Sequence, residues 1–355
     1  MKTIVVKTSA DNININAIHR AGEIIREGGL VAFPTETVYG LGADALNAKA
    51  AAKIYSAKGR PSDNPLIAHI ASIDMLKPLV DEIPPIAEKL MDAFWPGPMT
   101  LIFKKSDLVP KGTTGGLNTV AIRYPNHPIA QELIKAAGVS IAAPSANLSG
   151  KPSPTLGEHV IDDMDGRIDM IIDGGMVGMG LESTIIDVTV TPPMILRPGF
   201  ITEEMIKKVA GDIRIDKAIF AKPEAGLKPK APGMKYRHYA PSADYKIYRG
   251  DAAKVAEKII LLANEKANAG MKTGIITADQ HKHLYQGKLN TEITVVSLGD
   301  LEKPETIANH LFKVLRDFDS MDTQYIFGEA FSEENVGQAI MNRLTKAAGY
   351  NIFDV

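Results

Sequence analysis

The chain has 355 residues, of which 45% are hydrophobic and 23% charged, so it is long enough to bury the cores of two domains. Its formal net charge of −2 provides no overall positive field for nonspecific nucleic-acid binding, and an RNA contact would need a local basic patch. Cysteine is absent, which excludes disulfides, thiolate catalysis and cysteine-ligated metal centres.

The first apolar run is short and polar residues follow Lys7, too early for the core of a signal peptide. No later window is an uninterrupted apolar span of membrane length. We therefore expect a cytoplasmic protein without a membrane segment.

The first 210 residues alternate short β-rich runs with helical periods. Strands are predicted at residues 4–6, 30–33, 66–69, 99–103, 119–123, 139–142, 170–172, 183–188 and 194–197. Helices are predicted at residues 14–27, 48–57, 83–94 and 127–138. Because the strands are not evenly interleaved with helices, this N-terminal α/β domain is expected to contain a mixed sheet.

Residues 212–243 are predicted to form a linker, because Pro and Gly interrupt them. Within them, residues 217–238 hold six Lys or Arg against one acidic residue, Glu224. The end of this segment, PGMKYRHYAP at 232–241, mixes aromatic and cationic side chains as nucleotide contacts do. A solubilising hinge and a ligand-binding segment are both compatible with this composition.

A second alternation follows the linker, with strands predicted at 246–248, 273–277, 294–297 and 325–329 and helices at 252–268, 304–318 and 335–348. Such βα spacing indicates a smaller, Rossmann-like C-terminal α/β domain. No Gly-x-Gly-x-x-Gly turn is present, so a dinucleotide is not supported there. The predicted domains are therefore 1–211, 212–243 and 244–355.

Two polar segments, FPTETVYGLG at 33–42 and KGRPSDNPL at 58–66, concentrate hydroxyl, carboxylate, amide and cationic groups in sequence that is typical of loops. Loops carry such groups when they hold a ligand, since buried donors and acceptors without partners are costly. Two ordinary polar turns are the simpler alternative.

Further short motifs lie at predicted strand ends, where an open α/β sheet collects its ligand groups. They are WPGPMT at 95–100, TVAIR at 119–123, APSANLSG at 143–150, EST at 182–184 and LRPG at 196–199. Together with Lys58, Arg60, Arg123 and Arg197 they predict a cationic, donor-rich cleft. No Walker A or kinase signature occurs, so an ATP site here would be unconventional. The eight His residues lack metal-site spacing, and we interpret them as solvated.

The order of these motifs resembles the YrdC family, and the basic linker and C-terminal domain resemble its longer, two-domain form, the L-threonylcarbamoyladenylate synthases. The resemblance covers essentially the whole chain. The family's Lys-x-Arg and Ser-x-Asn signatures correspond to Lys58/Arg60 and Ser145/Asn147.

The resemblance implies an enzyme that combines ATP, L-threonine and bicarbonate or carbon dioxide into threonylcarbamoyl-AMP and pyrophosphate. The product would feed threonylcarbamoylation of adenosine in tRNA through a downstream transfer machinery. Mg²⁺ is expected on the ATP phosphates, with no dedicated protein metal site. Direct tRNA binding by this chain is not supported.

Residue roles are carried over from the matching motifs. The catalytic candidates are Lys58, Arg60, Ser145 and Asn147. The L-threonine candidates are Thr35, Thr37, His69, Arg123 and Ser183. The ATP candidates are Lys58, Arg60, Asn64, Thr119, Ser145, Asn147, Ser153, Arg197 and, from a linker that acts as a lid, Tyr236, Arg237 and His238.

Three other functions agree with parts of the sequence but leave other parts unexplained. A double-stranded RNA or tRNA binding module fits the cationic cleft but leaves the threonine-sized set of hydroxyls unexplained. A carbamoyltransferase of the hydrogenase-maturation kind should carry zinc-binding cysteines and an acylphosphatase module, and the sequence has neither. Dihydroxybutanone phosphate synthase should carry an acidic metal cluster near the start, which Glu36 alone does not supply.

Overall fold

A computed structural model describes residues 2–219, 221–222, 229–234 and 238–355. The chain divides into an N-terminal unit of residues 1–149 and 153–236 and a C-terminal unit of residues 150–152 and 237–355. In the part of the chain that is described, no helix is both long enough and apolar enough to cross a membrane. The sequence-derived domain limits stay a prediction.

The N-terminal unit is built on a sheet whose described strands number eleven. They are β1 (Ile4–Lys7), β2 (Val31–Pro34), β3 (Tyr39–Asp44), β4 (Ile67–His69), β5 (Met99–Lys104), β6 (Thr119–Arg123), β7 (Ile141–Ala142), β8 (Met170–Asp173), β9 (Thr184–Asp187), β10 (Met194–Arg197) and β11 (Arg214–Ile215). Their order in the sheet is β1-β8-β2-β3-β7-β4-β6-β5-β9-β10-β11. Because β4 pairs with β6 in parallel and β5 with β6 antiparallel, the mixed sheet predicted from the sequence is confirmed.

Helices pack on both faces of this sheet. They are α1 (Ile15–Arg26), α2 (Ala48–Lys58), α3 (Pro85–Phe94), α4 (Lys111–Thr114), α5 (Pro128–Ala137), α6 (Gly157–Met164) and α7 (Glu203–Ala210). The apolar stripe of α1 packs against α5 at close range, since a Cβ at Gly22 would lie 2.7 Å from the backbone carbon of Ala136. Only glycine permits this approach.

The segment 33–42 is not the loop that its polarity indicated. It is an antiparallel hairpin in which β2 pairs with β3, and only the residues between them turn. Both faces of β3 are buried, so its side chains do not alternate between polar and apolar as a half-exposed strand would. The ligand-type residues Thr35, Glu36 and Thr37 therefore lie in a short turn held between two core strands.

The C-terminal unit contains a five-stranded sheet with the order β14-β13-β15-β12-β16. Its strands are β12 (Asp244–Arg249), β13 (Thr273–Thr277), β14 (Thr294–Ser297), β15 (Tyr325–Glu329) and β16 (Ile352–Asp354), and its helices are α8 (Ala252–Asn268), α9 (Pro304–Ser320) and α10 (Val336–Ala347). All neighbouring strands are parallel, which confirms the Rossmann-like interpretation. The sequence analysis missed β16, a three-residue edge strand without a buried residue.

Part of the predicted linker belongs to the N-terminal sheet. Strand β11 pairs in parallel with β10, and a 3₁₀ turn, Lys217–Ile219, follows it. Further along, Ala231 and Met234 are buried. We refer to residues 229–234, which end at Met234, as the linker segment.

Candidate active site

One face of β4, β5, β6, β9 and β10 carries the candidate site. Alternation along β6 places Thr119, Ala121 and Arg123 on this face, and parallel pairing brings His69 of β4 level with Arg123. The middle of the face is apolar and packs against the linker segment; this cluster consists of Ile67, Ile102, Ala121, Ile185, Leu196, Ala231 and Met234. Polar groups lie at both ends of the cluster.

Arg123, at the carboxyl end of β6, is the centre of the first polar group. Its guanidinium is buried and donates through Nη1 to Thr37 Oγ1 at 2.8 Å and through Nε to the Gly97 carbonyl at 3.3 Å. Nη2 lies 2.8 Å from Glu36 Oε1. These contacts hold the guanidinium in one orientation, and a fixed arginine fork is suited to a carboxylate ligand.

The turn between β2 and β3 places two hydroxyls beside this guanidinium. Thr35 Oγ1 lies 2.9 Å from Thr37 Oγ1 and donates to the Val38 carbonyl at 2.7 Å. The turn is also tied to a distant loop, because the backbone amide of Met179 donates to the Glu36 carbonyl at 2.9 Å. The turn is therefore held both by its own hydrogen bonds and by the loop that contains Met179.

His69 is a buried, uncharged member of the same group. Burial lowers its pKa to about 3, and the neighbouring charge of Arg123 adds to this effect. Nδ1 lies 3.1 Å from the Ile67 carbonyl, a contact that favours the neutral tautomer with its proton on Nδ1. The prediction that the eight histidines are solvated is wrong for His69 and His159, because both are buried.

Ser183 and Arg197 lie side by side near this end of the sheet. Arg197 donates through Nη2 to Ser183 Oγ at 3.1 Å and through Nε to the Ser183 carbonyl at 3.0 Å. Thr100 Oγ1 lies 2.7 Å from the same hydroxyl. Ser153 donates to Glu182 Oε1 at 2.6 Å. Arg197 thus contacts a threonine candidate, although it was predicted as an ATP residue.

Lys58 organises the Ser-x-Asn motif. It is the last residue of α2, which ends because Gly59 adopts φ +61°, and its buried ammonium donates to the carbonyls of Ser145 and Asn147. Ser145 Oγ in turn donates to Asn147 Oδ1 at 2.5 Å. The structure brings these three predicted residues together.

Arg60, Asn64 and Thr119 form the other end of the site. Arg60 donates to the Pro65 carbonyl at 3.1 Å, and Pro65 precedes β4 beside the start of β6. Asn64 is buried, and its Oδ1 accepts no hydrogen bond from the described residues. Thr119 and Arg123 are four residues apart on β6, which separates the two ends by about 13 Å.

Of the three predicted lid residues, His238 is among the residues that the structure describes. Tyr236 and Arg237 lie outside the described residues. His238 is half-buried and belongs to the C-terminal unit. Across the ranges that are described, His, Asp and Glu residues form no group of three that could hold a metal ion.

Sequence reasoning missed three side chains of the site. Glu36 contacts Arg123, Thr100 contacts Ser183, and Glu182 contacts Ser153. Glu36 lies between two predicted site residues, and Thr100 and Glu182 belong to motifs named above. These positions were the only sequence signal for the three side chains. Their partners come from distant strands, so the sequence does not show the contacts.

Comparison with known proteins gives a consistent result. A sequence-family model named for Sua5, YciO and YrdC and described as "Telomere recombination" matches residues 23–199, and one described as "Threonylcarbamoyl-AMP synthase, C-terminal domain" matches residues 201–349. A threonylcarbamoyl-AMP synthase of Pyrococcus abyssi is 51% identical over 95% of this chain and 96% of that protein. One from Bacillus subtilis is 49% identical over 94% and 93%.

A solved structure shows the same fold. The crystal structure of P. abyssi Sua5 complexed with L-threonine superposes with a TM-score of 0.91 at 49% identity and covers 100% of both chains. The Escherichia coli YciO structure, at 27% identity and a TM-score of 0.50, covers 55% of this chain and 94% of its own.

The N-terminal fold, together with its buried cationic site, defines a YrdC-like α/β protein that carries a second, Rossmann-like domain. Identity near 50% over almost the full length makes the family assignment specific. The chain belongs to the threonylcarbamoyl-AMP synthase family. It is an adenylyl-transferring enzyme whose product is threonylcarbamoyl-AMP, as the resemblance implied.

Proposed function

We propose that the two ends of the site receive different substrates. L-Threonine would bind at the carboxyl ends of β4 and β6, with Arg123 pairing its carboxylate and with Thr35, Thr37, His69 and Ser183 around it. The observation that carries this assignment is the buried Arg123 guanidinium, fixed by Thr37 and Gly97. A relative of this chain has been crystallised as a complex with L-threonine.

ATP would occupy the remainder of the face. Its phosphates would meet Lys58, Arg60, Ser145 and Asn147, and Asn64, Thr119 and Ser153 would complete its contacts. Arg197 is assigned to the junction of the two substrates, because it is hydrogen-bonded to a threonine candidate, Ser183. Tyr236, Arg237 and His238 are assigned to a lid over the nucleotide.

The chemistry then needs positioning and charge neutralisation rather than an enzyme nucleophile. The threonine amine attacks carbon dioxide with loss of a proton, or bicarbonate with loss of water, and becomes a carbamate. A carbamate oxygen attacks the α-phosphorus in line, the bond to the β-phosphate oxygen breaks, and pyrophosphate leaves. Preorganised cationic donors such as Lys58 and Arg60 lower the barrier by stabilising the charge that develops on the phosphate oxygens.

Mg²⁺ is proposed to enter with ATP. Mg²⁺ in ATP sites usually keeps several waters and binds through phosphate oxygens, so the nucleotide itself would supply most of its ligands. The ion would offset the phosphate charge. Delivery of the product to a tRNA threonylcarbamoyl-transfer machinery and a cytoplasmic location are part of the same proposal.

A pyrophosphate-release assay tests this function. Purified protein with ATP and Mg²⁺ should release pyrophosphate only when L-threonine and bicarbonate are both present, and tRNA should not be required. Turnover that persists without either small substrate, or that appears only with RNA, would contradict the proposal. A tRNA gel shift without pyrophosphate release would favour the RNA-binding alternative.

A further inference from the structure

Glu36 is a buried carboxylate with an incomplete set of partners. The residue is 9% exposed, and its Oε1 lies 2.8 Å from Arg123 Nη2. Apart from this ionic contact, neither carboxylate oxygen accepts a directed hydrogen bond from the described residues. A buried carboxylate offers about four acceptor positions, and leaving them unused is costly. The geometry therefore indicates that a donor is supplied from outside the protein.

The neighbouring groups show what kind of donor fits. Arg123 uses Nε for Gly97 and one Nη1 hydrogen for Thr37, and Nη2 lies 2.8 Å from Glu36 Oε1 without a directed hydrogen bond. At least one N–H therefore remains on each terminal nitrogen. A ligand carboxylate on those two N–H groups would lie next to Glu36. In an α-amino acid the ammonium is attached to the carbon that bears the carboxylate.

The other polar groups at Glu36 do not replace such a donor. Thr35 and Thr37 are hydrogen-bonded to each other, and Thr35 also donates to a carbonyl. His127 is half-buried and close enough for the Glu36 charge to raise its pKa, but burial has the larger effect and lowers that pKa, which favours the neutral ring. Among the described residues no second cation is paired with Glu36, while Arg123 and Glu36 together match a zwitterion.

We propose that Glu36 binds the α-ammonium of the amino-acid substrate and so makes the site select α-amino acids over hydroxy acids. The inference rests on the proposed function, since it takes L-threonine as the ligand of Arg123. A hydroxy acid would bring a carboxylate without the compensating cation, so that two carboxylates would share the single positive charge of Arg123. Glu36 is in this sense a specificity-determining residue.

The test compares two ligands that differ only in the ammonium group. L-Threonine and (R)-3-hydroxybutanoate are titrated into the wild-type protein, Glu36→Gln and Thr37→Val, with ligand-observed NMR to detect weak binding. Glu36→Gln should weaken threonine about tenfold to hundredfold, because a hydrogen bond to a charged group is lost, and should leave hydroxybutanoate within about threefold. Thr37→Val removes the hydroxyl that contacts Arg123 and Thr35 but leaves Glu36 in place, so it should weaken both ligands by similar factors.

Each other outcome has a defined meaning. If Glu36→Gln weakens both ligands by the same factor, Glu36 only holds Arg123 and this inference is wrong while the proposed function stands. If the wild-type protein does not bind threonine, the proposed function fails as well. Glu36→Asp keeps a carboxylate, so it should retain part of the preference for threonine that Glu36→Gln loses. Equal behaviour of the Asp and Gln variants would also overturn the inference. Melting temperatures establish that each variant is folded.

Discussion

Lys58 links a helix end to the Ser-x-Asn motif, and its removal should affect both turnover and stability. In Lys58→Ala the carbonyls of Ser145 and Asn147 lose a buried donor. We expect pyrophosphate release to fall by ~10²-fold or more, because one preorganised donor to developing charge is worth ~3 kcal/mol. A lower melting temperature should accompany this loss, since two buried acceptors lose their partner.

Lys49→Ala is the matched control for this change. Lys49 lies on the same helix but is exposed, so its removal should leave turnover and melting temperature nearly unchanged. Near-normal turnover in Lys58→Ala, measured on the folded fraction, would show that Lys58 has only a structural role.

His69 should make the stability of the N-terminal unit depend on pH. Its pKa is lowered to about 3 in the folded protein, whereas an unfolded histidine titrates near 6.5. Above pH 6.5 the ring is neutral in both states and contributes nothing. As the pH falls from 6.5 toward 3, only the unfolded state binds the proton, so the free energy of unfolding decreases by up to ~1.4 kcal/mol per pH unit.

Urea unfolding of the wild-type protein and His69→Asn between pH 7.5 and pH 4.5 measures this effect. The Asn amide can replace Nδ1 as donor to the Ile67 carbonyl, and the other titrating groups are common to both proteins. The wild-type protein should lose more stability than the variant as the pH falls. A difference between the two that is the same at every pH would rule out a buried neutral His69.

At the scale of elements, the linker segment covers the apolar middle of the site. Met234 is buried against β-strand residues that include Ile67 and Ile102. In Met234→Gln an amide without partners enters this cluster, at a cost of ~1–3 kcal/mol. Pyrophosphate release should therefore fall about tenfold or more, and trypsin should cleave the linker faster in the presence of ATP and threonine.

The control introduces the same side chain at an exposed position of the same segment. Lys230→Gln should retain most of the activity. Because it removes one trypsin site, cleavage is followed after Lys235 and Arg237, where the wild-type protection should be retained. If the Met234 and Lys230 variants behave alike, the linker is a spacer and the proposed lid is unsupported.

The hairpin of β2 and β3 shows why element prediction failed locally. The polar residues at 35–37 and the glycines at 40 and 42 are typical of loops, yet Tyr39 and Leu41 are fully buried. Pairing with β2 on one side and β7 on the other satisfies the backbone groups of β3. The pairing with β7 joins residues far apart in the sequence, so local propensity could not indicate it.

For the whole molecule, the structure changes where an N-terminal fragment should end. A chain stopped at Gly211 lacks β11 and the linker segment and exposes the apolar cluster on the site face. It should melt roughly 5 °C or more below a chain stopped at Met234. Burying a Met side chain contributes about 1.5–3 kcal/mol to the free energy of unfolding. A change of about 1 kcal/mol shifts the Tm of a domain of this size by about 2–4 °C.

Calorimetry and threonine titration of the two fragments provide the measurement. Both fragments should bind threonine, because Arg123 and its partners lie before residue 211, and both should release pyrophosphate far more slowly than the full chain. Equal melting temperatures would show that the linker segment does not stabilise the N-terminal unit. Full activity in either fragment would remove any catalytic role for the residues beyond it.

The sequence by itself determined the fold class, the two-domain organisation and most of the element positions. Periodic apolar patterns and helix ends are local properties, and the predicted helix at 252–268 and strand at 273–277 agree with the structure residue for residue. It also named most of the polar residues that the structure brings together in the candidate site, since the motifs are contiguous and chemically dense.

Only the tertiary structure decided how these residues combine. The pairing of Arg123 with Glu36, of Arg197 with Ser183 and of Lys58 with the Ser145 carbonyl joins strands and loops that are distant in sequence. Likewise, the burial that keeps His69 neutral and the docking of Met234 on the sheet depend on packing from several elements. Such contacts arise from long-range strand pairing and shared burial, which no local pattern of side chains encodes.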